Sequence, residues 1–178
     1  MVDVMPLQMP VDGWTVDDLP DDELRYELVD GGLLVTPPGA PGHQEVAMTL
    51  AVLLQPALPR DWRATAPQGL YLDERNYRVP DVLVYERAAS GRGRITPPDV
   101  HLAVEVMSPG SVSTDRVAKP AQYAAAGIRH FWRLELDPLV LVVHRLAGEA
   151  YEVVGRYGGE VALAEPVPIS FRLADLLA

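Results

Sequence analysis

The chain contains no cysteine. That excludes a disulfide scaffold, thiolate zinc sites and a cysteine nucleophile. Any bound metal must be held by Asp, Glu, His or carbonyl oxygens, a donor set that favours hard ions such as magnesium or manganese. Long apolar runs are missing too. Leu139 to Val143 is typical of the longest, too short to span a bilayer. The opening stretch, MVDVMPLQMP, has no basic region followed by an apolar one and lacks the pattern of a secretory signal. A soluble, cytoplasmic protein is the expectation. Lysine is almost absent: the fifteen basic residues are fourteen Arg and Lys119. An ammonium kept against such a bias suggests a need for a compact charge with a tunable pKa.

What is present suits one domain with its own core. The chain has 178 residues, 48% of them hydrophobic and 22% charged. We read residues 1–13 as a tail and 14–178 as a single domain. Seventeen prolines and fourteen glycines predict many turns. The formal net charge of −10 argues against broad non-specific nucleic-acid binding. That charge is uneven. Residues 1–30 hold nine acids against Arg25 alone, so the remaining body is nearly neutral. Residues 60–94 carry seven arginines against five acids, a weak positive bias.

Along the chain, Thr15 and Asp18 stand at capping-box spacing and predict a short helix start at Trp14–Asp18. Residues 25–36 read as a hairpin around Asp30-Gly31-Gly32, closed by Pro37-Pro38-Gly39. Val46, Leu50, Leu53 and Leu54 recur at helical spacing, which predicts an amphipathic helix over 43–55, stopped by Pro56 and Pro59. Strands are expected near 62–66, 69–72, 79–85, 101–107, 129–136, 139–145 and 150–155. A loop is expected over 86–99, a helix over 114–126 ending at Gly127, and a short helix at 172–177. The order gives an α/β protein with a mixed sheet flanked by helices and an N-terminal β-hairpin.

Glu105 lies in Leu102-Ala103-Val104-Glu105-Val106-Met107, a strand that reads as buried on both faces. A carboxylate there must be paired, neutralised or bound to a metal. Asp81 follows Pro80 and opens the apolar run Val82-Leu83-Val84. Taken alone it reads as a turn residue. If the two consecutive strands pair, however, both carboxylates can converge on one divalent ion, with substrate phosphate and water completing its shell. Lys119, on the helix after the Glu105 strand, could orient a water or stabilise charge on a transferring phosphate. Its alternative is a helical pair with Asp115. Glu27 in the hairpin and His43 at a helix start are supporting candidates. Arg92 and Arg94 lie in the loop between the two acidic strands, where they either contact backbone phosphates or are simply solvated.

The runs VPDVLVY, HLAVEVMSPGS and TDRVAKPAQYAAAGIRHFW, preceded by RYELVDGGLLV and by a helix starting GHQEV, resemble the Uma-type restriction endonuclease family of the PD-(D/E)XK nuclease superfamily. The resemblance spans roughly residues 14–146. It implies a restriction-endonuclease-like core and a magnesium-dependent (or manganese-dependent) phosphodiesterase site. In that site Asp81 and Glu105 are the metal-binding carboxylates, and Glu27 and His43 match further polar positions. Two departures stand out. The lysine expected two residues after the glutamate is Met107, and its role passes to Lys119. Pro120 follows Lys119, so either the helix begins near it or the helix is kinked.

The leading expectation is a metal-dependent endonuclease acting on DNA, with a homodimer suited to cutting two strands. The apolar strands near 129–145 could supply the edge for that pairing. The alternative is a catalytically silent nuclease-fold domain used for partner binding or dimerisation. A two-carboxylate glycosidase is disfavoured, because the chain lacks an aromatic cluster suited to a sugar cleft.

Overall fold

The computed structural model describes residues 12–20, 24–36, 40–107 and 113–177. Most of the expected tail, the Pro37–Gly39 stop and the Ser108-Pro109-Gly110 turn lie outside them.

The hairpin forms where the turn chemistry requires it. β1 (Arg25–Val29) and β2 (Gly32–Thr36) are antiparallel. Asp30 and Gly31 between them take φ of 49° and 79°. Two successive left-handed residues make the tight turn that an Asp-Gly pair favours. A Cβ on Gly31 would also overlap the Arg75 guanidinium.

α1 (Pro41–Leu54) begins two residues earlier than its apolar period suggests, because Pro41 is accommodated in the first turn. Val46, Leu50 and Leu54 form its buried stripe. β3 (Trp62–Thr65), β4 (Leu70–Asp73), β5 (Asn76–Arg78) and β6 (Val82–Glu86) follow. The loop expected over 86–99 holds two short 3-10 helices, Arg87–Arg92 and Pro97–Asp99. β7 (Val100–Met107) comes next, with all but His101 of its eight residues buried. α2 (Ser113–Ala125) carries Pro120 in its interior rather than in its first turn. Gly127 ends it with φ of 80° and an N–H bonded back to Ala124.

β8 (His130–Leu136), β9 (Leu139–Ala147) and β10 (Ala150–Tyr157) complete the main sheet. Its order is β10-β9-β8-β7-β6-β3. β7 and β8 are parallel and every other neighbouring pair is antiparallel. A second sheet runs β2-β1-β5-β4. β11 (Glu160–Leu163) and β12 (Ile169–Arg172) form a separate ribbon, followed by a 3-10 helix at Leu173–Leu177.

The main sheet has a helix on each face. Val46, Leu50 and Leu54 of α1 pack on Val82, Val84, Leu102, Val104 and Trp132. Tyr123 of α2 and Ile128 pack on Leu83, Ala103 and Phe131. This alternation buries β7 on both faces from Leu102 to Met107, so a charge there must find partners within the protein.

Two expectations are corrected. Trp14–Asp18 is a turn, not a helix start. The Thr15 hydroxyl and N–H both donate to Asp18 Oδ2, at 2.6 and 2.9 Å, and Pro20 restricts Leu19 before a helix can continue. The strands near 129–145 offer no edge: β8 and β9 are interior, because β10 pairs along the outer side of β9.

Candidate active site

The site begins on β7. Val104 pairs with Val82 across the antiparallel β6–β7 ladder. Asp81 directly precedes Val82 and Glu105 directly follows Val104, so both acids stand at the same end of this ladder, and Glu105 shares the Ala103 face that packs against α2. The Val106 N–H donates to Asp81 Oδ2 at 2.9 Å, which ties the loop carboxylate to the glutamate strand.

α2 brings Lys119 and Tyr123 over this pair, one helical turn apart. Lys119 Nζ donates to Glu105 Oε2 at 3.1 Å and lies 3.4 Å from Glu27 Oε1. The Tyr123 hydroxyl donates to Glu105 Oε1 at 2.7 Å. Glu27 on β1 accepts from Arg78 Nη1 at 3.0 Å and from the Val79 N–H at 3.1 Å. Arg78 in turn donates through Nε to Gln122 at 2.7 Å. His43, in the first turn of α1, places Nε2 2.6 Å from the Val106 carbonyl and 3.4 Å from Asp81 Oδ2. Arg25 donates to the Val79 carbonyl and reaches to 3.6 Å from Asp81 Oδ1.

Glu27, Asp81, Glu105, Lys119 and His43 therefore converge from five places in the chain. The interior proline of α2 does not turn Lys119 away from them. The first four are only 3–6% exposed, so their charges act on one another with little screening by water.

The electrostatics follow from that burial. Burial pushes the Glu105 carboxyl up, against the Lys119 charge, and Asp81 adds to the rise; its pKa is about 7. Burial also opposes the Lys119 charge, but Glu105, Glu27 and Asp81 together hold it well above the ordinary lysine value. Lys119 is thus a permanent ammonium and a hydrogen-bond donor, not a base. Asp81 is pushed up by burial, yet His43, the Val106 N–H and Lys119 outweigh it and hold the carboxyl below its usual value. The Asp81 hydrogen bond raises His43 above an ordinary histidine, against the pull of burial.

The donor set fits a hard divalent cation. Asp81 and Glu105 offer carboxylate oxygens, and the raised Glu105 marks a spot where added positive charge would be favoured. Among the described residues no group of three Asp, Glu or His side chains has ligating geometry. Two protein ligands with water and substrate oxygens still make an ordinary magnesium environment.

Arg92 and Arg94 do not join this group. Arg92 pairs with Asp99, and Arg94 pairs with Asp17 while lying 5.0 Å over the Tyr71 ring. Sequence reading missed Tyr123, Arg78 and Gln122. Tyr123 was within reach of the helical period, four residues beyond Lys119. Arg78 and Gln122 had no signal, because only tertiary pairing brings β5 and α2 to Glu27.

A family model described as "Uma2: Putative restriction endonuclease" matches residues 15–175. The chain also resembles the crystal structure of a putative nuclease of the DUF820 group from Anabaena variabilis. TM-score is 0.69 at 20% sequence identity, with 92% of this chain and 97% of that chain covered. A likeness at this identity establishes a shared fold. No curated protein matches the chain.

Proposed function

Because this chain belongs to the Uma2 family of restriction-endonuclease-like proteins, we propose that it is a metal-dependent nuclease of the PD-(D/E)XK type, hydrolysing phosphodiester bonds in DNA. The observation that supports this most is that Asp81 is tied at 2.9 Å to the Val106 N–H, next to Glu105, while the Lys119 ammonium lies 3.1 Å from Glu105.

In this reading Asp81 and Glu105 hold a magnesium or manganese ion. Such an ion, when bound, screens the scissile phosphate and lowers the pKa of a coordinated water. The remaining work falls to the chain. The Val106 N–H and the Tyr123 hydroxyl each fix one oxygen of a carboxylate, so the ligands are preorganised. Lys119 stays charged and donates to a phosphate oxygen or orients the attacking water. Glu27, anchored by Arg78 and Val79, holds Lys119 in place. His43 maintains Asp81 as a carboxylate.

A second reading, a silent nuclease-fold domain for partner binding, draws on one observation: Lys119 is already engaged by both Glu105 and Glu27. A cleavage assay separates the two. Mixed DNA and RNA are incubated with manganese beside the Lys119→Ala variant. The nuclease reading expects DNA breakdown by the wild type and a loss of about a hundredfold or more in the variant. Intact nucleic acid in both samples would leave the silent domain.

A further inference from the structure

A cavity of about 420 Å³ opens beside the carboxylate group. Leu19, Leu24 and Tyr26 line it together with Arg25, Tyr71 and Tyr77. Arg25 joins the two regions: it lines the cavity and reaches to 3.6 Å from Asp81 Oδ1. Tyr71 and Tyr77 lie with ring centroids 4.8 Å apart, tilted by 56°. Gly69 makes room for this pair, since a Cβ there would overlap the Tyr77 hydroxyl. A separate space of about 220 Å³ is also lined by Tyr71 and Tyr77, together with Gly69 and Ser90. Arg94 lies over the outer ring, 5.0 Å from its centroid.

This lining has a definite chemistry. The walls are apolar and aromatic, with tyrosine hydroxyls as the polar points. One guanidinium, Arg25, lines the cavity and adjoins the carboxylate proposed to hold the metal, and a second, Arg94, lies against Tyr71. A planar, hydrogen-bonding ring attached to an anion matches both parts, and the volume suits one such unit. An aromatic wall accepts any base through its π-face, while arginine takes the phosphate. A base inside a duplex cannot enter such a recess without leaving its stack.

We propose that this cavity is a subsite for one unpaired nucleobase of the strand being cut, with Arg25 on the neighbouring phosphate, so that single-stranded or frayed nucleic acid is the preferred substrate. The inference rests on the nuclease reading and deepens it. Asp17, paired with Arg94 and itself largely exposed, occupies one anion position at the rim and gives way to a phosphate.

The test uses the full wild-type chain in chelator, titrated with thymidine 5′-monophosphate and separately with deoxyribose 5-phosphate. Ring-proton NMR resonances of Tyr71 and Tyr77 report binding. The subsite predicts that the nucleotide shifts both rings and binds at least about tenfold tighter than the sugar phosphate. Tyr71→Leu should weaken the nucleotide by about the same factor. Equal affinities, or unmoved tyrosine resonances, overturn the subsite, and the wild-type titration decides this even if the variant does not fold. A manganese cleavage assay on the same preparation keeps the two claims apart. Cleavage without tyrosine shifts removes the subsite and leaves the nuclease. Tyrosine shifts from the nucleotide without any cleavage remove the nuclease and leave a base-binding pocket.

Discussion

At the scale of single residues, Lys119 decides most. It is the one lysine, it is buried, and it touches two carboxylates. Removing it takes the ammonium from beside buried Glu105 and leaves Glu27 with Arg78 as its paired cation. Urea denaturation of Lys119→Ala should therefore show a loss of roughly 3–5 kcal/mol. Adding Glu105→Gln to that variant should recover part of the loss, since it removes one stranded charge. If the double variant is less stable than the single one, the pairing is not what holds the cluster.

His144 gives the pH counterpart. Burial lowers its pKa and the Arg133 charge lowers it further, together outweighing backbone hydrogen bonds at Phe131 and Val142. The folded value lies below the unfolded one near 6.5, so the unfolded chain binds the proton first as pH falls. The stability contribution is complete above that value and is lost as pH drops toward the folded one. Thermal melts at pH 7 and pH 5 should show a smaller drop for His144→Gln than for wild type. An unchanged drop would assign the acid sensitivity elsewhere.

Glu105 was legible in the sequence because it interrupts an apolar strand, where a charge needs a reason; Asp81, a turn residue by itself, drew notice only from its place at the head of the preceding strand. Arg78 and Tyr123 were not, because their value comes only from partners far along the chain.

At the scale of elements, what could be read from sequence tracks burial. The Asp-Gly hairpin, the stripe of α1 and the continuous apolar run of β7 carry strong local patterns, and all three exist. β5, β11 and β12 were missed. They are three or four residues long, and in the latter two Val161 is the only buried residue. Short half-exposed strands take their stability from partners, not from their own composition. The turn at Thr15–Asp18 used a helix-capping signal without a helix to follow.

Helix α1, which brings His43 to Asp81 at its first turn and packs on the sheet along the rest of its length, has a simple test. Leu50 is fully buried between α1 and the sheet. Leu50→Ala should cost about 2–5 kcal/mol in chemical denaturation, through lost transfer energy and a cavity. It should leave metal binding intact, because Leu50 packs among Val82, Val84, Leu102 and Val104, away from the His43 end of α1. A change below about 1 kcal/mol would mean that α1 is not part of the cooperative core.

At the scale of the whole molecule, topology makes the site. An antiparallel β6–β7 pair and a parallel β7–β8 pair bury the middle strand, and α2 returns across it carrying Lys119. The same topology moves any dimer formed through the main sheet to β3 or β10, its two edges. β10 carries Glu152 and Arg156 and a register shift between Val153 and Gly155, devices that discourage edge pairing. The homodimer expected of an enzyme that cuts two strands is checked by sedimentation velocity at micromolar concentration, where it predicts a species of twice the chain mass. A species of single chain mass would remove it.

The most direct measurement is manganese binding followed by electron paramagnetic resonance, on the wild type and on Asp81→Asn and Glu105→Gln, each verified as folded by circular dichroism. The account predicts one bound ion in the wild type and a loss of affinity of about tenfold or more in either variant. Equal manganese binding by all three proteins would contradict it.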